Sequence, residues 1–354
     1  MSGNYLVVGQ GIAGSTLAWT LADAGHKVVV VDASPKANAS SVAAGLVTPI
    51  TGKRFTHAPS WITEWEVASR FYSQLEARLA TRFWHVHPSV RWFADEDDKK
   101  VWQQRMQSGE YAGLDVHFVP ARNDSTIYGP FGGFEMFPAA RLDTMEYLRA
   151  TRAYFRGQGA YVECDLDLND VVPSSEAVHV PQLGMSFQGV VFCQGHSGSA
   201  NPWFSHVDFR PAKGEILTLN IAGYDEERTQ HFEVWLAPSE SGTFRTGSNY
   251  EWDALDDVPT ERVRGELLQR LSNRFRVPVE VSGHQAGIRP AVSDSRPVVG
   301  GHPNHPRLMI LNGLGAKGTL WAPLASSFLL SLIADGEPAP AEWDVSRFRR
   351  FGGT

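Results

Sequence analysis

Gly9, Gly11 and Gly14 follow the apolar run Tyr5-Leu6-Val7-Val8 and precede an alanine-rich stretch at 12–24 that Gly25 ends. In the order strand, tight turn, helix, these glycines bind an anion. Gly9 permits the turn, Gly11 lets the backbone approach a pyrophosphate, and Gly14 lets helix and strand close on each other, while the helix N-terminus presents free amides. Asp32 ends the apolar run 28–31, roughly 20 residues on, where a carboxylate accepts hydrogen bonds from ribose hydroxyls. It would repel a 2'-phosphate, which argues against NADP and leaves NAD and FAD. The candidate nucleotide contacts are Gly9, Gly11, Ile12, Ala13, Gly14, Asp32, Ala33 and Ser34. A second loop, with Gly313, Gly315 and Gly318, follows the apolar strand 308–311 and precedes a helix expected over about 321–334. Its N-terminus is a second positive pole, able to stabilise negative charge.

A chain of 354 residues calls for two domains or one elaborated α/β domain. A hydrophobic fraction of 42% with 20% charged residues fits a folded enzyme and excludes wholesale disorder. The net charge of -7 opposes a large nucleic-acid footprint, though a local basic groove is compatible with it. Cys164 and Cys193 are too few for a disulfide framework or a zinc site and are expected as buried thiols. The histidine pairs His85/His87 and His302/His305 have no Cys or acidic partners completing a set, so no metal is expected. No apolar run approaching a membrane span and no signal peptide before the first strand are expected, which gives a cytoplasmic protein. The segment "ADEDDKK" at 94–100 reads as a solvated helix start.

After Asp32 comes "ASPKANASSVAAGLVTPITGKRF", rich in small residues and without the alternating helix and strand of an NAD-binding half. This stretch resembles the D-amino-acid oxidase and glycine oxidase superfamily of FAD-dependent oxidoreductases. The likeness continues through "RLDTMEYLRATRAYFRGQGAYVEC", "GVVFCQGHSG", "FRPAKGEILTL", "WLAPSESGTFRTGSNYEWD", "AGIRPAVSDSRPVVG" and "LMILNGLGAKGTLWAPLASSFLLSLIADG". It implies a Rossmann-like FAD-binding domain with an inserted antiparallel-sheet substrate domain. The cofactor domain would take 1–82, 136–205 and 283–354, and the substrate domain 83–135 and 206–282. The resemblance adds Ser40, Ser41, Ala44, Gly45, Leu46 and Gly195, with Leu314, Ala316, Lys317 and Thr319 of the second loop, to the flavin-lining residues. Small side chains there suit close backbone approach to a planar ring.

The same resemblance implies that Arg289, in "GIRP", holds the substrate carboxylate beside the flavin, a task suited to a planar guanidinium that stays charged. Its alternative is a structural ion pair with Asp294. Trp235 matches a position where relatives place an aromatic over the substrate, or else is a core tryptophan. Lys317 would stabilise reduced flavin from within the loop, or else face solvent. Relatives carry an arginine one position earlier, where this chain has Ala316. The cysteine that binds flavin covalently in sarcosine-oxidase-like members has Ala291 near its place, so noncovalent FAD is expected. Trp61, Trp65, Trp84, Trp92 and Trp102 would pack between domains or cage an amine.

The implied function is oxidation of a C–N bond in an amino acid or secondary amine, with reoxidation by dioxygen or another acceptor. "GLGAKGTLWAPL" and "EVASRFYSQLEARL" resemble the flavin domain of the bifunctional tRNA wobble-uridine modification enzyme MnmC. That gives an alternative, oxidation of a carboxymethylaminomethyl group on a modified nucleoside or tRNA. A second alternative is a flavin-binding module without turnover.

Overall fold

The computed structural model describes residues 3–33, 38–239 and 242–348; Ser34 lies outside them. The strands Lys27–Asp32, Asn4–Val8, Gly189–Phe192 and Leu308–Asn312 run parallel in the middle of a six-stranded sheet. Tyr161–Glu163 adds a parallel edge and Val298–Gly301 an antiparallel one. Their near-continuous Val, Ile and Leu require cover on both faces. Tyr5, Val7, Val28, Val30 and Val191 enter a core built with the helices, whereas Leu6, Val8, Val31, Val190 and Phe192 enter a second core behind the sheet.

The closing helix, Gly318–Asp335, starts three residues before the expected 321 because the carbonyl of Lys317 already accepts the amides of Leu320 and Trp321. Pro323 lies inside it and has no N–H to give the carbonyl four residues back. That carbonyl, of Thr319, takes the buried Tyr72 hydroxyl at 3.0 Å instead. With mean hydropathy 1.2 over 18 residues, the helix is long and apolar enough to cross a membrane, which corrects the expectation that no such run exists. Here it packs against the helices Ile12–Asp23 and Trp61–Leu79 and buries Ala322, Ala325 and Leu329.

An eight-stranded sheet runs in the order Val279–Arg289, Ala212–Ile221, Phe244–Gly247, Trp235–Pro238, Thr229–His231, Ser89–Trp92, Gly133–Phe137, Asp115–Val119. All its pairings are antiparallel except that of Thr229–His231 with Ser89–Trp92. The helix Glu261–Ser272 covers one face through Val263, Leu267 and Leu271, packed on Leu217, Leu219 and Leu236. A small antiparallel sheet, Leu46–Val47, Ala140–Leu142 and Trp84–Val86, accompanies the first unit.

The five tryptophans do not form a single cage. Trp61, Trp65 and Trp84 stack with Tyr72 in the main core, while Trp92 and Trp102 belong to two other clusters. Asp95 caps the helix Glu96–Gln107 by accepting the amides of Asp97 and Asp98. Cys193 is buried, but Cys164 is only partly so and accepts a hydrogen bond from Gln182 at 3.2 Å, correcting the reading of two buried thiols. Because Tyr72 donates to a carbonyl that cannot receive an amide from Pro323, Tyr72→Phe should lower unfolding stability by about 1–3 kcal/mol. Urea unfolding of the purified protein reads this directly, and an unchanged midpoint would show that Thr319 finds another donor.

Candidate cofactor cleft and substrate face

The first helix begins at Ile12 because the backbone has closed tightly beneath it. Gly9 has φ +101°, and a Cβ on Gly14 would stand 1.8 Å from the Gly9 carbonyl oxygen. Gly11 faces Ser40: a Cβ there would lie 3.1 Å from its hydroxyl, which accepts the Ile12 amide at 3.0 Å. Ser41 and Asn38 form a capping box that fixes the short helix Ala39–Val42 beside this end. One oxygen of Asp32 accepts the Gln10 amide at 2.9 Å. The other oxygen, Oδ2, has no hydrogen-bond donor among the described residues and stands at the end of its strand. Burial raises the pKa of Asp32, opposed by that amide and by Arg152.

The second glycine loop meets the first. A Cβ on Gly318 would be 3.1 Å from the Ile12 side chain, so the N-termini of the first and closing helices converge. Gly313 and Gly315 have φ of +72° and +52°. Leu314 turns its side chain into the core, Thr319 is buried and Ala316 is exposed. Lys317 is exposed too, with its ammonium 4.9 Å from the Trp321 ring centre. Gly195, φ +59°, opens a turn whose carbonyl accepts from the Asn312 amide at 2.9 Å. Gly45 is dictated by the chain itself as well as by any ligand, since a Cβ would stand 2.0 Å from the Leu142 carbonyl oxygen. Ala44 and Leu46 flank it, partly buried, and Ala13 is buried in the first helix; Ala33 is exposed beyond Asp32. Two converging amide-bearing helix ends, a carboxylate with one oxygen open and side-chain-free approaches fit the phosphates and ribose of FAD.

Arg289 ends a strand whose partner carries Gly214, and the missing side chain there makes room for the guanidinium: a Cβ on Gly214 would fall 2.0 Å from Nη2. Nη2 donates to Ser248 Oγ at 2.6 Å, Nη1 to the carbonyls of Lys213 and Asn249 at 3.4 and 3.3 Å, and the Tyr250 ring centre lies 4.3 Å away. No carboxylate lies within 4.0 Å of it among the described residues. The alternative partner, Asp294, is taken by Arg347 at 2.7 Å. Burial lowers the guanidinium's pKa from its usual value. Trp235 lies over Gly247, whose Cβ would be 3.0 Å from the indole. Paired residues across a sheet share a face, and the register Gln285–Ile216–Gly247–Trp235–His231–Arg91 forms one row on the face that also carries Arg289 and Arg245.

This face looks onto the cofactor segment. Gly287 abuts Ala39 and Val42, and Arg245 donates to the carbonyls of Val42 and Ala43 at 2.5 and 2.9 Å. Arg91 stacks on Phe55 with its guanidinium carbon 4.9 Å from the ring centre. His231 Nε2 is sealed from solvent without a hydrogen-bond partner, and burial beside Arg91 and His87 pushes its pKa down to about 3. Arg91, Arg245, His231, Gln285, Ser248 and Tyr250 escaped the sequence reading. Alternation could have found several of them, since Gln285, Gly287 and Arg289 step by two along a strand whose Ala286 and Ile288 are buried on the other side.

The family model described as DAO, FAD dependent oxidoreductase, matches residues 4–330. The chain belongs to that family. It is therefore an FAD-dependent oxidoreductase, and the fold around the converging helix ends is the family's. It is 25% identical over 366 residues to a glycine oxidase of Pseudomonas putida, covering 96% of each chain. It is also 25% identical over 366 residues to the tRNA 5-methylaminomethyl-2-thiouridine biosynthesis bifunctional protein MnmC of Acinetobacter baylyi, covering 95% of this chain but only 54% of that protein. The crystal structure of glycine oxidase from Bacillus cereus superposes with a TM-score of 0.81 at 19% identity, over 99% of this chain and 100% of that one.

Removing the open carboxylate oxygen should cost about 1.5–3 kcal/mol of FAD retention, so Asp32→Ala is expected to weaken FAD binding by one to two decades in equilibrium dialysis. Unchanged retention would move the ribose site elsewhere. For His231, the ordinary pKa of 6.5 falls to about 3 in the folded chain, so between those values the unfolded chain binds a proton that the folded one does not. Stability should therefore fall as pH drops through that window, by up to about 1.4 kcal/mol per unit. In urea unfolding at pH 7, 6 and 5, His231→Gln should flatten that decline, and an identical slope would remove His231 as its source.

Proposed function

We propose that the chain oxidises a carbon–nitrogen bond of a carboxylated amine, an amino acid or N-alkyl amino acid, with noncovalently held FAD. The observation that carries this reading is Arg289: a partly buried guanidinium, lowered in pKa by burial and without a carboxylate partner, lies on the same sheet face as Trp235 and the row facing residues 39–43. An arginine so placed meets the requirement for binding an anion that the fold does not supply. FAD, when bound, supplies the two-electron acceptor. Arg289 takes the carboxylate in its fork and Ser248 steadies the guanidinium, so the amine end is directed by the geometry of a two-point contact. Trp235 gives an apolar wall that excludes water and favours the neutral amine. The paired helix N-termini place positive potential where negative charge develops. The glycine oxidase relative supports the substrate class. Noncovalent binding is supported by Cys193, which is buried beneath Gly9 and Gly14 with its thiol pKa pushed up by burial.

A second reading, oxidation of a carboxymethylaminomethyl group on a modified base, is favoured by one feature at the same place. Tyr250, under Arg289, stacks on Trp252 at 5.9 Å and 22°, and the two are 55% and 61% exposed. Such a pair is a platform for a planar base.

Arg289→Met keeps much of the side-chain volume. It should lose about 2–5 kcal/mol of binding for carboxylated amines while retaining FAD, and anaerobic flavin reduction by sarcosine should need tens- to thousands-fold higher concentration. The corresponding esters should be affected far less. Normal reduction by the variant would make Arg289 structural. Faster reduction of the wild type by 5-carboxymethylaminomethyluridine than by sarcosine would select the second reading.

A further inference from the structure

Ser248, Asn249 and Tyr250 hold the Arg289 guanidinium, and all three open the loop that runs from the strand Phe244–Gly247 to the helix Glu261–Ser272. The large apolar side chains of that loop, Tyr250, Trp252, Leu255 and Val258, are exposed, and its fastenings are polar. They converge on one strand. Lys213 of Ala212–Ile221 exchanges backbone hydrogen bonds with Glu251 at 2.8 and 3.0 Å, and its Nζ donates to Asp256 Oδ1 at 2.6 Å and to the Val258 carbonyl at 2.5 Å. Two residues on, the Glu215 amide donates to Asn249 Oδ1 at 2.9 Å, and the Glu215 carboxylate accepts the amide and hydroxyl of Thr260 at 2.8 and 3.0 Å. Lys213 is 1% exposed, and an ammonium so deeply buried is stable only with an anion beside it. Asp256 is the nearer carboxylate, since Glu215 stands 4.0 Å off and is engaged by Thr260. Detaching the loop would strip the ammonium of that counter-charge, so the pair sets where the loop lies.

Lys213 does this from outside the site. It precedes Gly214, over which Arg289 lies, and neighbours along a strand point to opposite faces, so its ammonium works from behind the sheet. We propose that Lys213 is a positioning residue for the substrate carboxylate. Paired with Asp256 behind the sheet, it fixes the loop from which Ser248, Asn249 and Tyr250 hold Arg289, and so keeps the guanidinium aimed at the cleft. The proposal rests on the amine-oxidation reading and deepens it: the clamp has two layers, a guanidinium in front and an ion pair behind. Without the pair the guanidinium remains but its supports move, so recognition of a carboxylate falls while contacts to the rest of the ligand stay.

The test uses the FAD-loaded protein and (methylthio)acetate, which is sarcosine with sulfur in place of the amine nitrogen, so that binding is measured without oxidation. Its comparison ligand is the neutral (methylthio)acetamide. Calorimetry on the wild type should show the acid binding at least about 10-fold more tightly than the amide, as one charge-assisted pair requires. Lys213→Met and Asp256→Ala should each remove most of that difference while leaving FAD content unchanged and the amide's affinity within a few fold. The variant that removes both should lose no more than the weaker-binding single one, because the two charges act as one unit. Anaerobic reduction by sarcosine should show the same split, a half-saturating concentration raised about 10-fold with a limiting rate changed far less. Hydrogen exchange over 248–258 should quicken in both variants. Asp256 is half exposed, so Asp256→Ala decides alone if Lys213→Met does not fold. Discrimination or loop exchange unchanged by Asp256→Ala, weakening of acid and amide alike, release of FAD, or losses that add in the double variant would overturn the positioning role. Equal binding of acid and amide by the wild type would sink the carboxylate clamp and the role with it. Intact discrimination with no flavin reduction by any N-alkyl glycine would instead sink amine oxidation and leave Lys213 positioning an anion site.

Discussion

Everything in the cleft depends on two helices being allowed to touch at their N-terminal ends. Gly318 faces the Ile12 side chain at a distance that a Cβ could barely meet, and Gly14 faces the Gly9 carbonyl at one it could not meet at all. These contacts lock the first helix to the sheet and the closing helix to the first, so amides from opposite ends of the chain point at one place. Like poles repel, and two positive helix ends held together are a standing electrostatic cost that a bound polyanion removes. The glycines are needed for packing before any ligand arrives, and that packing makes the ligand favourable.

The opposing sheet face follows the same logic with side chains. Arg289, Arg245 and Arg91 all lie on it, each lowered in pKa first by burial, and none has a carboxylate within 4.0 Å among the described residues. Small residues make this arrangement sterically feasible: Gly214 leaves room for Arg289 and Gly247 for Trp235. The chain as a whole is acidic at -7, yet its interior seam is cationic. Net charge governs long-range encounter; it carries no information about a seam whose charges sit in a low dielectric and are screened little by salt.

Much of this was legible in the sequence, for identifiable reasons. The two glycine loops and Asp32 stand out because backbone constraints at Gly9 and Gly14 leave no alternative residue and Gly318 sits tightly against Ile12, and Arg289 because its neighbours carry the family's pattern. The sheet face was not legible. Arg245, His231 and Arg91 come from three strands far apart in the chain, and their common face is set by register, which local composition does not encode. The start of the closing helix was misplaced by three residues because the first turn, closed by the Lys317 carbonyl, runs through the glycine loop, and the helix passes Pro323 because Tyr72 supplies from another helix the hydrogen bond that the proline forfeits. The reason for Gly45 was also hidden, since its pressing neighbour is the Leu142 backbone on a strand reached only through the tertiary fold.

The convergence of the first and closing helices also orders events during synthesis. The nucleotide-binding turn leaves the ribosome well before the helix whose end completes the cradle and the strand Leu308–Asn312 that it follows, because they lie far downstream of it in the chain. Until then the first helix lacks the partner that covers it, and its apolar side is open to chaperones or to other nascent chains. Cofactor capture is thus coupled to synthesis of the closing helix, and a chain truncated before it would lack half of its cradle.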